Sequence, residues 1–130
     1  MNKKVTVEIL RFSTEVQSEI ASKMESVEEL KRLAAVADEK VLYGIIRNEN
    51  ATADILDVIA RRDFVMTQGL VATDERTSVE TLEMLAESKN PNLRLVMACS
   101  KMTPEHILRK FLEDEDYAVR EVARITLNDR

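Results

Sequence analysis

Four groups of side chains in this chain have the chemistry for a site: the single histidine His106, the single cysteine Cys99, the acidic run Glu113-Asp114-Glu115-Asp116, and the pair Arg94 and Arg120. His106 shares its position in an internal repeat with Asp54 and Glu80, in the first turn of a predicted helix, which is a surface position. A nucleophilic cysteine needs a base and an electropositive setting, and no such partner accompanies Cys99 in the sequence. One cysteine and one histidine do not make a transition-metal site, and the acidic run lacks the ligand spacing of a calcium loop, so it reads as a solvated turn. The expectation is a protein without catalytic residues, metal or cofactor. Arg94 and Arg120 have two readings. A guanidinium suits bidentate contact with phosphate or carboxylate, while Asn90 and Asp116, four residues earlier, offer each a partner within the chain.

Those residues are placed by a repeat. Leu30, Leu56, Leu82 and Leu108 are separated by identical intervals of 26 residues, and each interval is filled with matching residue classes. A fixed period of that length marks a stack of short structural units. Ser26-Val27-Glu28-Glu29-Leu30 and Ser78-Val79-Glu80-Thr81-Leu82 are near copies. Ser26 with Glu29, and Thr77 with Glu80, have the capping-box spacing of a helix start. Thr103-Pro104-Glu105 predicts the same start with Thr103 as cap and Pro104 as first helical residue. Three columns then define a buried face: Leu30, Leu56, Leu82, Leu108; Leu33, Ile59, Leu85, Phe111; and Ala34, Ala60, Ala86, Leu112. Lys31, Arg32, Asp57, Glu83, Arg109 and Lys110 form the opposite, solvated face.

After a polar turn a second, shorter helix is predicted in each repeat. Its buried stripe reads Val41, Gly44, Ile45; Thr67, Leu70, Val71; Leu93, Val96, Met97; and Val119, Val122, Ala123. It closes on Asn48, Asp74, Ser100 and Thr126, whose short side chains can bond nearby backbone. Residues 1–25 read as a degenerate capping repeat, with Val16 and Ile20 aligned to Val41 and Ile45 after a one-residue deletion. Val5, Ile9 and Phe12 fit a helical stripe there, and Val5-Thr6-Val7-Glu8-Ile9 also fits a short strand. Ser13 or Thr14 is the expected cap of the helix that follows.

Composition agrees with helices. In 130 residues there are two glycines and two prolines, against 45% apolar and 33% charged residues. The fold expected is all-α, a right-handed α-α superhelix of short helix pairs, with four repeats over residues 26–130 in one domain. The net charge of −5 gives no general attraction for nucleic acid or anionic membrane. A lone cysteine, and no apolar run of signal-peptide or membrane-span length, lead to an expectation of a cytoplasmic protein.

Leu93-Arg94-Leu95-Val96-Met97-Ala98 followed by Thr103-Pro104-Glu105 and Leu108, with Val119-Arg120 and Val122-Ala123 as a second match, resembles the leucine-rich repeat variant family, shading into HEAT-like repeats. The resemblance covers residues 26–130. It implies a right-handed superhelix of paired helices and a scaffold or interaction role. Val41-Leu42 and Thr67-Gln68 stand where the family has valine-arginine, so no continuous arginine ladder is implied, and Cys99 alone cannot supply the cysteine cluster that holds iron and sulfur in one member.

The function expected is non-catalytic: a scaffold, monomeric or weakly homo-oligomeric, that binds another protein on the concave surface of its second helices. Tyr43, Arg47, Gln68, Arg94, Leu95 and Arg120 are the expected partner-binding residues, chosen because one row mixes an aromatic, amides, arginines and aliphatics. Leu42, Gly69 and Glu121 complete that row. The alternative is a nucleic-acid binder using Arg61, Arg62, Lys89, Arg94, Lys101, Arg120 and Arg124 as a basic groove.

Overall fold

The computed structural model describes residue 6 and residues 8–130, and all regular structure among them is helical. The helices are α1 (Thr14–Lys23), α2 (Val27–Val36), α3 (Glu39–Arg47), α4 (Ala53–Ala60), α5 (Val65–Ala72), α6 (Val79–Ala86), α7 (Pro91–Cys99), α8 (Glu105–Phe111) and α9 (Tyr117–Asn128). From α2 onward they alternate between two series, and within each series the starts are 26 residues apart. None of the helices is long and apolar enough to cross a membrane. Of the N-terminal residues that fit a helical stripe or a short strand, Val5 and Val7 lie outside the described residues; Ile9 is buried and Phe12 is exposed.

Capping chemistry sets where the helices begin. The hydroxyls of Ser26, Thr52 and Ser78 accept the N–H of Glu29, Ile55 and Thr81 at 3.3, 3.4 and 3.2 Å. Two expected caps are corrected. Ser78 rather than Thr77 caps α6, and α8 starts at Glu105 with Pro104 in the cap position. Thr77 and Thr103 instead donate backward to the Val71 and Met97 carbonyls at 2.5 and 2.6 Å, tying each connecting loop to the helix before it. Polar turn residues work locally too: Asn48, Asp74 and Ser100 accept the N–H two residues on, at 2.7, 2.9 and 3.0 Å.

Two rows of helices pack against one another. One row is α1, α3, α5, α7, α9, each in contact with the next; in the other, α2 touches α4 and α4 touches α6. Between the rows lie Leu30, Leu56, Leu82 and Leu108, each at most 4% exposed, with Leu33, Ile59, Leu85 and Phe111 at most 2% exposed. A further column, Glu29, Ile55, Thr81 and Ile107, is also buried. Its polar members have partners. Glu29 accepts from Thr6 at 2.5 Å and Arg32 at 2.7 Å, and Thr81 donates to Asp57 at 2.7 Å. Asp57 and Arg32 are therefore half-buried, in contrast to the solvated Lys31, Glu83, Arg109 and Lys110 of the same face.

Long side chains also reach back one unit to backbone carbonyls. Asn48 donates to Ala21 and Met24, Arg76 to Ile46, Asn48 and Ala51, and Arg130 to Ser100, Lys101 and Thr103. Arg62 binds the Ala34 and Ala37 carbonyls, each at 2.8 Å. These bonds reach carbonyls in the last turns of helices and in the loops that follow them, where the helical ladder has ended.

Helix α1 is capped by Ser13 and buries Gln17, Ser18 and Ala21. Val16, expected to match the fully buried Val41, is 43% exposed. The helix is rotated from that alignment because Ser18 lies over Gly44, where an added Cβ would stand 2.4 Å from the Ser18 carbonyl oxygen. Gly69, by contrast, has nothing within 4 Å of that position. Gly44→Ala should therefore lower stability by about 1 to 3 kcal/mol through forced displacement of α1. Gly69→Ala should raise it by about 0.5 to 1 kcal/mol, the helix-interior difference between the two residues. Urea midpoints moving in opposite directions are the expected result; a shared direction would place α1 elsewhere.

Candidate partner-binding surface

The second-helix row exposes a different set of positions from the one expected. Across α3, α5, α7 and α9 two columns are fully inside: Val41, Thr67, Leu93, Val119, and Ile45, Val71, Met97, Ala123, none more than 1% exposed. The column after the first, Leu42, Gln68, Arg94, Arg120, turns inward as well. Leu42 is wholly buried and Arg94 is 7% exposed. Gln68 donates to the Ala60 carbonyl at 2.9 Å, Arg94 to Ser88 and Arg120 to Asp114, both at 2.7 Å. Each head group thus ends on the turn before its own helix.

That geometry corrects two expected site residues outright. Arg94 is a buried ion pair with Asp114, at 2.8 and 3.1 Å, and not a surface contact; its partner lies 20 residues downstream and is neither Asn90 nor solvent. Both side chains are 8% exposed. Arg120 is half-buried, holding the Asp114 carbonyl and lying 5.6 Å over the Tyr117 ring. The acidic run is likewise not one solvated turn. Asp114 forms the pair with Arg94 and Asp116 caps α9 through Val119 N–H at 3.2 Å, while Glu113 and Glu115 face water. Burial pushes the Asp114 carboxyl up. The hydrogen bonds from Arg94, the Asp116 amide and the charges of Arg94 and Arg120 outweigh it, so its pKa is held below the ordinary carboxylate value.

Gln68 and Leu95 are half-buried, Leu95 against the core, and they do not form an open contact row. Tyr43 is half-buried as well, and Arg47 is exposed. Tyr43 forms one wall of an apolar groove of about 580 Å³ between α5 and α7, whose other lining residues include Val65, Met66, Leu70, Asn92 and Val96. Met66 is 68% exposed, Leu70 42% and Val96 41%. The sequence pattern places Leu70 and Val96 in the core stripe and Val65 and Met66 at no site, and the structure exposes all four. The α3 residue at the repeat position of Leu70 and Val96, Gly44, is buried because Ser18 of α1 lies over it, whereas the same position in α5 and α7 is open to solvent.

Arg47 lines a separate polar hollow with Glu49, Asp74 and Glu75, and Thr73 borders both that hollow and the groove. His106 is exposed and faces Glu83 at 3.9 Å. Cys99 is exposed and free. No family model, curated protein or solved structure matches this chain. No group of three or more His, Cys, Asp or Glu side chains among the described residues is placed to hold a metal ion.

Of the seven cations proposed for a basic groove, five are engaged within the molecule: Arg61 on Asp57, Arg62 on two carbonyls, Arg94 on Asp114, Arg120 on the Asp114 carbonyl and Arg124 on Glu121. The two lysines, Lys89 and Lys101, are exposed and lie before the start and after the end of one helix, α7.

Proposed function

We propose that this chain is a right-handed α-α solenoid of helix pairs with a 26-residue period, capped by residues 1–25, and that it is a non-catalytic scaffold binding a partner protein on the exposed side of its second helices. The observation that carries the reading is the groove between α5 and α7, in which Leu70, Val96 and Met66 stand in solvent beside Tyr43. Contiguous exposed apolar surface rimmed by polar residues is a feature of interaction sites. The period of the helix starts supports the solenoid and with it the kinship to leucine-rich repeat variant and HEAT-like proteins. An exposed free cysteine suits a reducing, cytoplasmic setting. The nucleic-acid reading is disfavoured because Arg61, Arg94 and Arg124 are each offset by an internal carboxylate, and Arg62 and Arg120 direct N–H donors at backbone carbonyls rather than outward.

The test compares capture from the source cell, read by mass spectrometry, for the unaltered protein, Leu70→Asp, Val96→Asp and Arg109→Glu. One protein should be retained by the unaltered chain and by Arg109→Glu and lost by both groove variants, with helicity unchanged in all four. Tyr43→Ala should weaken that complex by about 1 kcal/mol or more. Loss with Arg109→Glu and retention with Leu70→Asp would move the surface to the first helices.

A further inference from the structure

We infer that Gly69 is the specificity-determining residue of the α5–α7 groove, and that a partner supplies the side chain this position lacks, as one uncharged, mainly apolar group of leucine to tyrosine size. The inference rests on the proposal that this groove is the binding surface, and it adds the point of entry and what can enter.

The fold itself has no use for this glycine. Gly69 lies inside α5, and a glycine inside a helix weakens it relative to alanine. Such a residue is needed where the backbone turns left-handed or where another segment presses on it. Gly44 is the second case, with the Ser18 carbonyl over it. Gly69 is neither: no glycine among the described residues has a positive φ, and a Cβ built on Gly69 meets nothing within 4 Å. Its carbonyl accepts the Thr73 N–H and hydroxyl at 3.2 and 3.0 Å, bonds that any residue could accept. A position that gives up stability with no return inside the fold points to function.

Elsewhere in the row the same position is filled. The repeat column reads Tyr43, Gly69, Leu95, Glu121, and every member is half-buried. Tyr43 and Leu95 fill it with large side chains, Leu95 against the core. Glu121 fills it with a carboxylate held by Arg124 and the Tyr117 hydroxyl at 2.9 and 3.2 Å. Only α5 leaves the place open, and that opening is part of the groove. The lining sets the chemistry of what can enter. No charged residue lines the groove, its walls include Tyr43, Met66, Leu70 and Val96, and the Thr73 hydroxyl is spent on the Gly69 and Leu70 carbonyls. An entering charge would lose its water and gain no partner, whereas a leucine, methionine, phenylalanine or tyrosine would cover the apolar walls. With no Cβ in the way, that group reaches the α5 backbone, which any side chain at position 69 would prevent.

The test is selection of a phage-displayed library of random linear peptides on the unaltered protein, with hits re-measured by fluorescence anisotropy against Gly69→Ala, Gly69→Leu and Leu70→Asp. Urea midpoints should rise for both Gly69 variants, because alanine and leucine are better helix formers and their added atoms meet open space. Peptide affinity should fall by about tenfold or more for Gly69→Leu and by less for Gly69→Ala, a divergence from stability that a merely structural glycine would not show. Each peptide should carry one Leu, Met, Phe or Tyr whose change to Ala costs about tenfold on the unaltered protein and less than about threefold on Gly69→Leu, the non-additivity of groups in contact. Far-ultraviolet circular dichroism checks that Leu70→Asp keeps its helices, and Val96→Asp replaces it if it does not. Peptides that lose affinity for Leu70→Asp but bind Gly69→Leu normally, show no coupling, or anchor through a charged residue overturn the inference and leave the groove as the site. A lowered midpoint for Gly69→Leu overturns it as well. Peptides indifferent to Leu70→Asp, or an empty selection, overturn the groove reading and the inference together.

Discussion

Arg94→Ala is expected to lower the unfolding free energy by about 3 kcal/mol, the lower end of what removing one partner of a buried ion pair does. The large effect comes from what remains. Asp114 would keep its buried carboxylate, 8% exposed, with the Arg94 nitrogens at 2.8 and 3.1 Å gone, and the Ser88 carbonyl would lose its donor at 2.7 Å. The lower end is appropriate because the pair borders an open hollow through which water can reach Asp114. Asp114→Ala in the same background should recover part of the loss, so the double variant is less destabilised than the two single losses added. The acid limb gives the matching sign. The pKa of Asp114 in the folded protein lies below its ordinary value, so the stabilisation is present above about pH 4 and is lost as pH falls through the folded value. The difference between Arg94→Ala and the unaltered protein should shrink over that acid range. A difference within about 0.5 kcal/mol at pH 7 would mean that the pair is solvated.

Leu85→Ala is expected to be the other severe change, about 2 to 5 kcal/mol, through lost burial and the cavity left between the two rows. Leu85 is 2% exposed and sits among Leu82, Ala86 and the buried side chains of the second row. Two residues away, Glu83→Ala should stay within about 0.5 kcal/mol, because its 3.9 Å contact with His106 is exposed on both sides. Denaturant midpoints of the two variants decide the matter, and equal midpoints would show that α6 presents a different face to the core.

The difference between what could and could not be read from the sequence follows from polarity. The column of four leucines and the Leu, Ile, Leu, Phe column beside it are legible, because burying them hides the most apolar surface. Glu29, Thr81, Arg94 and Gln68 are not. Each is a polar residue whose aliphatic stem lies inside while its head finds a specific partner, and polarity alone reads as exposure. The i, i+3, i+4 spacing that joins Gly44 to Val41 and Ile45 also takes in Leu70 and Val96, but α1 covers that position only over α3, and in α5 and α7 it is exposed. The caps erred for a related reason: Thr77 and Ser78 are adjacent hydroxyls, and the choice between them depends on the Val71 carbonyl that captures Thr77.

The reach-back bonds are unevenly distributed. Asn48 fastens α3 to the end of α1, Arg76 fastens the α5 unit to the end of α3, and Arg130 fastens the last unit to the loop after α7. At the position equivalent to Arg76 in the unit of α7 stands Met102, 41% exposed, and no side-chain donor among the described residues does for the loop after α5 what Arg76 does one unit earlier. The spacing of α5 and α7 is thus held by apolar packing, which resists sliding less sharply than directional bonds do. Seen as a mechanical object, this joint is tied on the first-helix side by Thr81 and Asp57 and left to apolar packing on the groove side, where it is compliant. That joint is the floor of the groove, so the width of the cleft can follow the girth of whatever enters it without disturbing the units beyond.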